Sequence, residues 1–487
     1  MTPKKIRWDQ IKHHWEIYFF IIPTLILIAL FQYYPAASGI FHSFYRWNGS
    51  DIAEPVGFLN YIDLVKNPEF WNSFRLAFIL GGWNVVKMIP ALFVAVCIHR
   101  CRSEKMNFFY RTLFVVPMVI PGLIVVLIWR SFFFEATSGY LNKFIIHSGL
   151  FGFLAHLDQM FGWGGVFVEG QMPAWLGDPR LIVTACIVWG FPWVGSFAVL
   201  THLAKLQGIS KDVYEAGEID GVNWFSKFTK IELPLIMGSI YLLLVFVIID
   251  TVKDAGMILA LAGLEGGPGG KATVPALFML RKAFLTQEMG AACAIGIVLT
   301  LVVLSLQKLS SLLVGWTSLS PRQKTLVRLA TGAVGLGILY WSYVQGSTRL
   351  IGLGLLFAIA SIPFPHIIAA IGRLLPEKRR DENWVRPEDR AFAREANPVY
   401  RAGRVLGEYS LRAFKHAFIW FVLIFAFLPL YLMIIVSVKD NQQFYLAPAT
   451  LTQPLHWENW RTAWESVTPT VANSLFISTS STLLTLF

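Results

Sequence analysis

Apolar runs long enough to cross a lipid bilayer recur along this 487-residue chain, and they leave little choice of solvent. A hydrocarbon layer of about 30 Å is crossed by roughly 20 apolar residues in a helix, and only helices and closed barrels satisfy their backbone groups inside it. The runs fall at about 17–38, 72–98, 110–130, 181–203, 233–262, 290–315, 326–345, 350–372, 414–438 and 471–487. They lack the strand-type alternation of an outer-membrane barrel. The expected fold is therefore all-α and integral to the membrane, a polytopic helical bundle of about ten spans. A 55% hydrophobic composition with 15% charged residues and a mean hydropathy of +0.56 agrees with that reading.

The distribution of charge sets the orientation. Short cytoplasmic loops collect Lys and Arg, and a cytoplasmic N-terminus puts Lys4, Lys5, Arg7, Arg100, Lys105, Arg111, Lys227 and Lys230 inside, with the dense run from Arg373 to Lys415. Outside loops are poorer, holding among others Arg46, Lys66, Arg130, Lys271, Arg281 and Lys282. The net charge of +11 sits at the ends of apolar runs and forms no stripe, which argues for lipid and against nucleic acid as the partner. Behind the basic start MTPKKIRWDQIKHHWE the apolar run lacks a small-residue cleavage site, so it reads as a first span and not as a cleaved signal. Cys97, Cys101, Cys186 and Cys293 match neither a disulfide framework nor a zinc site and read as small apolar side chains. The region 376–410 is too charged to bury a core and reads as a cytoplasmic linker between two membrane units. The last apolar run has no basic flank, so the chain is expected either to be interrupted within a span or to continue.

The inside loop between the fourth and fifth spans, ISKDVYEAGEIDGVNWFSKFTKIELPLI at 209–236, is the most informative segment. Ser210 suits an N-cap, Gly221 a left-handed turn after Asp220, and Pro234 the first turn of the next span. The expected product is a helix-turn-helix on the cytoplasmic surface with Val213, Ala216 and Ile219 on one side and charges on the other.

Glu215, Ala216, Gly217, Asp220, Gly221, Ile231, Leu233 and Pro234 together resemble the EAA loop of ABC importer permeases, with Gly217 where the third residue is usually Ala. YRTLFVVPMVIPGLIVVLIWRSFF, WLGDPRLIVTACIVWGFPWVGSFAVL and LEGGPGGKATVPALFMLRKAF resemble the carbohydrate-uptake branch, in the style of maltose and glycerol-phosphate permeases. The likeness covers a first permease unit, 1–315. Residues 316–375 would add a pair of membrane helices, and 411–487 resemble the opening of a second permease unit fused behind the first. The resemblance implies a non-enzymatic permease in the plasma (inner) membrane of a prokaryote, importing a sugar or sugar-like solute. It implies two ATP-binding subunits coupled through the EAA loop, an extracytoplasmic solute-binding protein and a second permease half. The chain itself would bind no cofactor, and ATP would be used by the partner subunit.

Polar groups at membrane depth are costly and mark sites. Asn84 and Lys87, with Arg75 on the same span, and Asp250, Lys253 and Asp254 are the candidates for the solute pathway. Spacings of three and four residues make an internal ion pair available between Lys253 and Asp250. A carrier driven by an ion gradient, with Asp250 and Asp254 as its coupling site, is the alternative, but it has no need of an EAA loop. Trp163, Trp175, Trp189 and Trp193 are further lining candidates. GGPGGKA fails as a phosphate loop, because Glu265 stands where Gly is required and Ala272 where Ser or Thr is. No catalytic or metal-binding constellation is recognised.

Overall fold

A computed structural model describes residues 15–314 and 398–486, except 51, 52, 102, 138, 163, 169 and 223. The chain enters through α1 (Trp15–Ile28) and α2 (Tyr34–His42), joined by a π-helical turn, and then forms a short antiparallel hairpin of β1 (Tyr45–Trp47) and β2 (Ala53–Pro55). After α3 (Leu59–Lys66), Asn67 caps α4 (Pro68–Val86) by accepting the Glu69 N–H at 2.8 Å, and Pro68 gives up no bond at the first helical position. A one-residue turn at Lys87 leads into α5 (Met88–His99), so that Pro68–His99 forms one long rod.

Next come α6 (Glu104–Val115), α7 (Gly122–Ile128), α8 (Tyr140–His147) and α9 (Leu150–Phe161). The chain continues through α10 (Ile182–Val188), α11 (Ser196–Gln207), α12 (Lys211–Ile219), α13 (Trp224–Lys227), α14 (Leu233–Lys253) and α15 (Gly256–Ala262). Then follow α16 (Pro275–Phe284) and α17 (Met289–Val314), and, among the residues described further on, α18 (Pro398–Ser437), α19 (Asn441–Leu446) and α20 (Glu458–Leu486).

Five of the expected spans are helices long and apolar enough to cross a membrane: Ile21–His42, Pro68–His99, Trp224–Lys253, Met289–Lys308 and Tyr409–Ser437. The other described runs, and the bounds of the one expected at 233–262, differ for local reasons. The run expected at 110–130 bends by 84° between Val119 and Gly122, where Pro117 and Pro121 withdraw backbone donors. The run at 181–203 is two short helices separated at Gly190–Gly195, where Gly190 and Trp193 take positive φ. The run at 233–262 starts earlier, at Trp224, and stops at Asp254 and Ala255 before α15. The run at 471–487 belongs to α20, a helix too rich in Ser and Thr to pass as a span by composition. The stretches at 326–345 and 350–372 lie outside the described residues, as does most of the linker; its last part, from Pro398, is already helical.

Two large clusters hold the bundle. One joins α4, α10, α15, α16 and α17 through Phe70, Phe74, Ile182, Ile258, Phe278 and Ile295. The other joins α5, α6, α11, α14 and α18 through Val94, Ile98, Phe114, Leu203, Ile236 and Leu423. The second cluster thus seats α18 directly on α5, α6, α11 and α14. All four cysteines are free, and Cys97 and Cys186 are buried.

Candidate functional site: the 209–236 loop and a cavity among interrupted helices

The 209–236 segment folds as a helix, a turn and a second helix, with two departures from expectation. Ser210 occupies the N-cap of α12 but its side chain caps nothing. The second helix is also not separate from the span: it runs from Trp224 to Lys253 without a break. A π-helical turn at Phe228–Glu232 precedes Pro234, and such a turn adjusts the ladder where proline supplies no N–H.

The turn closes as its sequence suggests. Asp220 N–H donates to Ala216 O, Gly221 N–H to Glu218 O, and Val222 N–H to Gly217 O, each at 3.0 Å, with Gly221 at φ +71°. Gly217 is buried, and a Cβ there would lie 2.7 Å from Ile231 Cδ1. The missing methyl is thus what lets Ile231 pack against α12. Glu215, Ala216, Asp220 and Pro234 are exposed and Leu233 is half-buried. The apolar stripe faces outward, with Ile219 82% and Val213 38% exposed.

Behind that face lies a buried ionic brace. Arg100, at the end of α5, donates Nε to Glu232 Oε1 at 2.9 Å and Nη2 to Oε2 at 2.6 Å, while Nη1 donates to Trp224 O at 3.2 Å. The Glu232 side chain is fully buried and that of Arg100 is 10% exposed. The guanidinium also stacks 4.5 Å from the centre of the Trp224 ring. Tyr214 of α12 pairs its hydroxyl with His99 Nε2 at 3.0 Å. Burial, reinforced by the nearby Glu232 carboxylate, pushes the Tyr214 phenol above its ordinary value, so it stays a neutral donor. At the surface Lys227 donates to Glu218 at 2.9 Å, which lowers the Glu218 carboxyl. From α18, Lys415 donates to Arg100 O at 3.2 Å, and His416 Nδ1 pairs with Tyr110 OH at 2.7 Å. Sequence reasoning missed this brace. Its one visible signal is an acidic residue between Ile231 and Leu233, just ahead of an apolar span.

The second element is a cavity of about 310 Å³ lined by Asn84, Lys87, Trp189, Trp193, Asp250 and Asp254 among others. Every interruption of a helix nearby opens onto it: the turn at Lys87, the break around Trp189 and Trp193, and the break at Asp254. Asn84 Nδ2 donates to Thr251 Oγ1 at 3.0 Å, Lys87 Nζ to Cys186 O at 3.4 Å, and Asp254 Oδ1 accepts the Gly256 N–H at 2.6 Å. The indole N–H groups of Trp189 and Trp193 are buried without an acceptor among the described residues. Four of the five pathway candidates therefore meet in one place. Lys253 is the exception: it is exposed, lies off the cavity wall, and forms no ion pair with Asp250 among the described residues. Trp175 is a core residue that donates to Asn142 Oδ1 at 2.7 Å, and Trp163 lies outside the described residues. Arg75 lines a different recess.

Helices interrupted around a largely apolar cavity that carries Asn84, Lys87, Asp250, Thr251 and Asp254, inside an apolar bundle, are the arrangement of a multi-pass membrane transport protein. Residues 88–318 match the family of binding-protein-dependent transport system inner membrane components. The multiple sugar-binding transport system permease protein MsmF of Streptococcus mutans is 28% identical over 307 residues, covering 62% of this chain and 94% of that protein. The diacetylchitobiose uptake system permease protein NgcF of Streptomyces coelicolor is 29% identical over 310 residues, or 62% of this chain and 82% of that one. Among solved structures, a bacterial ABC transporter involved in the import of the acidic polysaccharide alginate has a chain that superposes with a TM-score of 0.50 at 21% identity. That match covers 62% of this chain and 96% of the other, and it speaks for the fold alone.

Proposed function

We propose that this chain is the permease of an ATP-driven importer for a sugar or sugar-like solute, and that separate ATPase subunits act on it through the 209–236 loop. The observation that carries the reading is the contrast between the two sides of α12. Its outer side offers Ile219 and Val213 to solvent, while the segment behind it is held to the span by the Arg100–Glu232 pair. A partner seated on that apolar face pushes on α5 and α14 together, because a bidentate buried pair leaves little slack between loop and bundle. ATP is consumed in the partner, and the solute arrives from an extracytoplasmic binding protein.

Solute passes through the cavity at Asn84, Lys87, Asp250 and Asp254. Two indole donors without acceptors, set among carboxylates and an amide, suit a ligand rich in hydroxyl groups. Residues 1–315 form one permease unit and 411–487 the opening of a second, whose first span Tyr409–Ser437 buries Ile419, Val422 and Leu423 against the first.

The test is affinity purification of the native complex in mild detergent, with Ile219→Asp beside the wild type. A nucleotide-hydrolysing subunit should accompany the wild type and be lost with the variant. ATP-independent uptake by the wild type, with no such subunit bound, would overturn the proposal.

A further inference from the structure

Outside loops of a membrane protein are ordinarily poor in Lys and Arg, yet three of this chain's outer cations converge on one recess. The end of the bundle in question lies opposite the 209–236 loop: the rod Pro68–His99 touches that loop through His99 and begins with Glu69 in the recess. The recess, about 510 Å³ in volume, takes Arg75 from α4, Lys271 from the glycine-rich loop before α16, and Arg281 from α16 itself, with Asn72 and Thr273 on its wall. Glu69 is the only carboxylate among the described residues that line it, and it is committed to Arg281. Arg75 and Lys271 have no acidic partner among the described residues. A site built from three elements thus carries a surplus of two cations, unlike the inner cavity, where Asp250 and Asp254 outnumber Lys87.

The two hollows are consecutive on a single helix face. Asn72, Ser73, Leu76 and Ile79 border the outer one; Leu80, Asn84 and Lys87 border the inner one. Steps of three and four residues keep these side chains in one row. Along that row Leu76 and Ile79 of the outer lining are followed by Leu80 of the inner one, and Val183, Ile258 and Val274 add further apolar lining.

We propose that the Arg75–Lys271–Arg281 recess is an outer binding site for the anionic group, carboxylate or phosphate, of an acidic saccharide, occupied before the solute passes the apolar divide into the inner cavity. The inference rests on the permease reading and narrows its substrate class. Arg75 supplies a planar fork suited to either oxyanion, and Lys271 a mobile point charge beside it. Asn72 is left for a neighbouring hydroxyl group, and Thr273, whose Oγ1 donates to Glu265 O at 3.5 Å, can accept from another.

The experiment measures binding of three probes to the purified chain in detergent: digalacturonate, trehalose 6-phosphate and neutral trehalose. At low salt at least one anionic probe should bind at least ten-fold more tightly than trehalose, and the preference should shrink as salt is raised. The probe preferred tells carboxylate from phosphate. Arg75→Gln with Lys271→Gln should remove most of that preference, and Arg75→Lys with Lys271→Arg should keep it, which separates lost charge from a misfolded recess. The site is overturned if neither anionic probe is preferred by the wild type, or if the glutamine variant binds them as the wild type does. It is also overturned if the recess binds no anionic probe but its cations control salt-sensitive association of a solute-binding protein. Co-purification of the ATPase subunit is scored separately on the same preparations, so that its loss counts against the permease reading and not against the recess.

Discussion

Arg100 holds Glu232 through two hydrogen bonds at a point where the carboxylate has no access to solvent. The pair joins the end of one rod to the start of another across 132 positions of sequence. Removing one member strands a buried charge, at a cost of about 3–5 kcal/mol, whereas replacing both by apolar groups costs much less. Arg100→Met and Glu232→Leu should therefore each lower the detergent unfolding midpoint strongly, and the double variant should recover most of the loss. Additive losses in that double-mutant cycle would count against the brace.

Gly217 and Ile231 make a size-matched contact. Ile231→Val in the wild type removes a packed methyl and should cost roughly 0.5–1.5 kcal/mol. In a Gly217→Ala background the same change relieves the 2.7 Å approach and should be stabilising. A reversal of sign between the two backgrounds, read by thermal unfolding, is the expected outcome. An equal cost in both would show that Ile231 simply moves aside.

Asp158 anchors the outer loop after α9. Its carboxylate accepts the backbone N–H groups of Gly165, Val166 and Phe167 at 3.1, 2.5 and 2.8 Å. The bond from Phe167 contributes most to holding this carboxyl below its ordinary value. A depressed carboxylate adds stability that is fully present above its unfolded value and lost as pH falls through the folded one. Protection of these three amides against hydrogen exchange should accordingly be constant near neutrality and fall only below about pH 4. Asp158→Asn should speed their exchange at neutral pH, on the order of ten-fold; unchanged exchange would remove the anchor.

Trp189 and Trp193 line the inner cavity, and their N–H groups have no acceptor among the described residues. Substitution by Phe keeps an aromatic ring and deletes the donor. Each change should weaken solute affinity by about 1 kcal/mol, or roughly five-fold, if the donor meets a solute hydroxyl. KM for uptake should rise with little change in the ATPase rate without solute. A lower ATPase rate at unchanged KM would make these rings structural.

The parts of this architecture that were legible in the sequence are those fixed locally. Gly221 was expected in a left-handed turn and has φ +71°, because the residues on either side already determine the turn. Five of the ten expected runs are helices of spanning length, because bilayer thickness sets that length. The interruptions also left a trace, Gly190-Phe191-Pro192 in one run and Asp254-Ala255-Gly256 in another, but an apolar average conceals such a break. Arg100–Glu232 was out of reach for a different reason. Hydrophobic periodicity says which face of a helix is buried and nothing of which distant residue it meets. The same gap explains Lys253, whose spacing from Asp250 allowed an ion pair that the helix end does not form.

The inner cavity is walled by places where helices stop, yet Leu80, Ile258 and Val274 of that wall also belong to one of the two seams that hold the bundle, and Trp189 packs against it. Lys87 and Trp193 belong to neither seam. A change at either of these two alters what the wall presents while leaving the joints in place, so the scaffold can diversify its cargo there at little cost to its own cohesion.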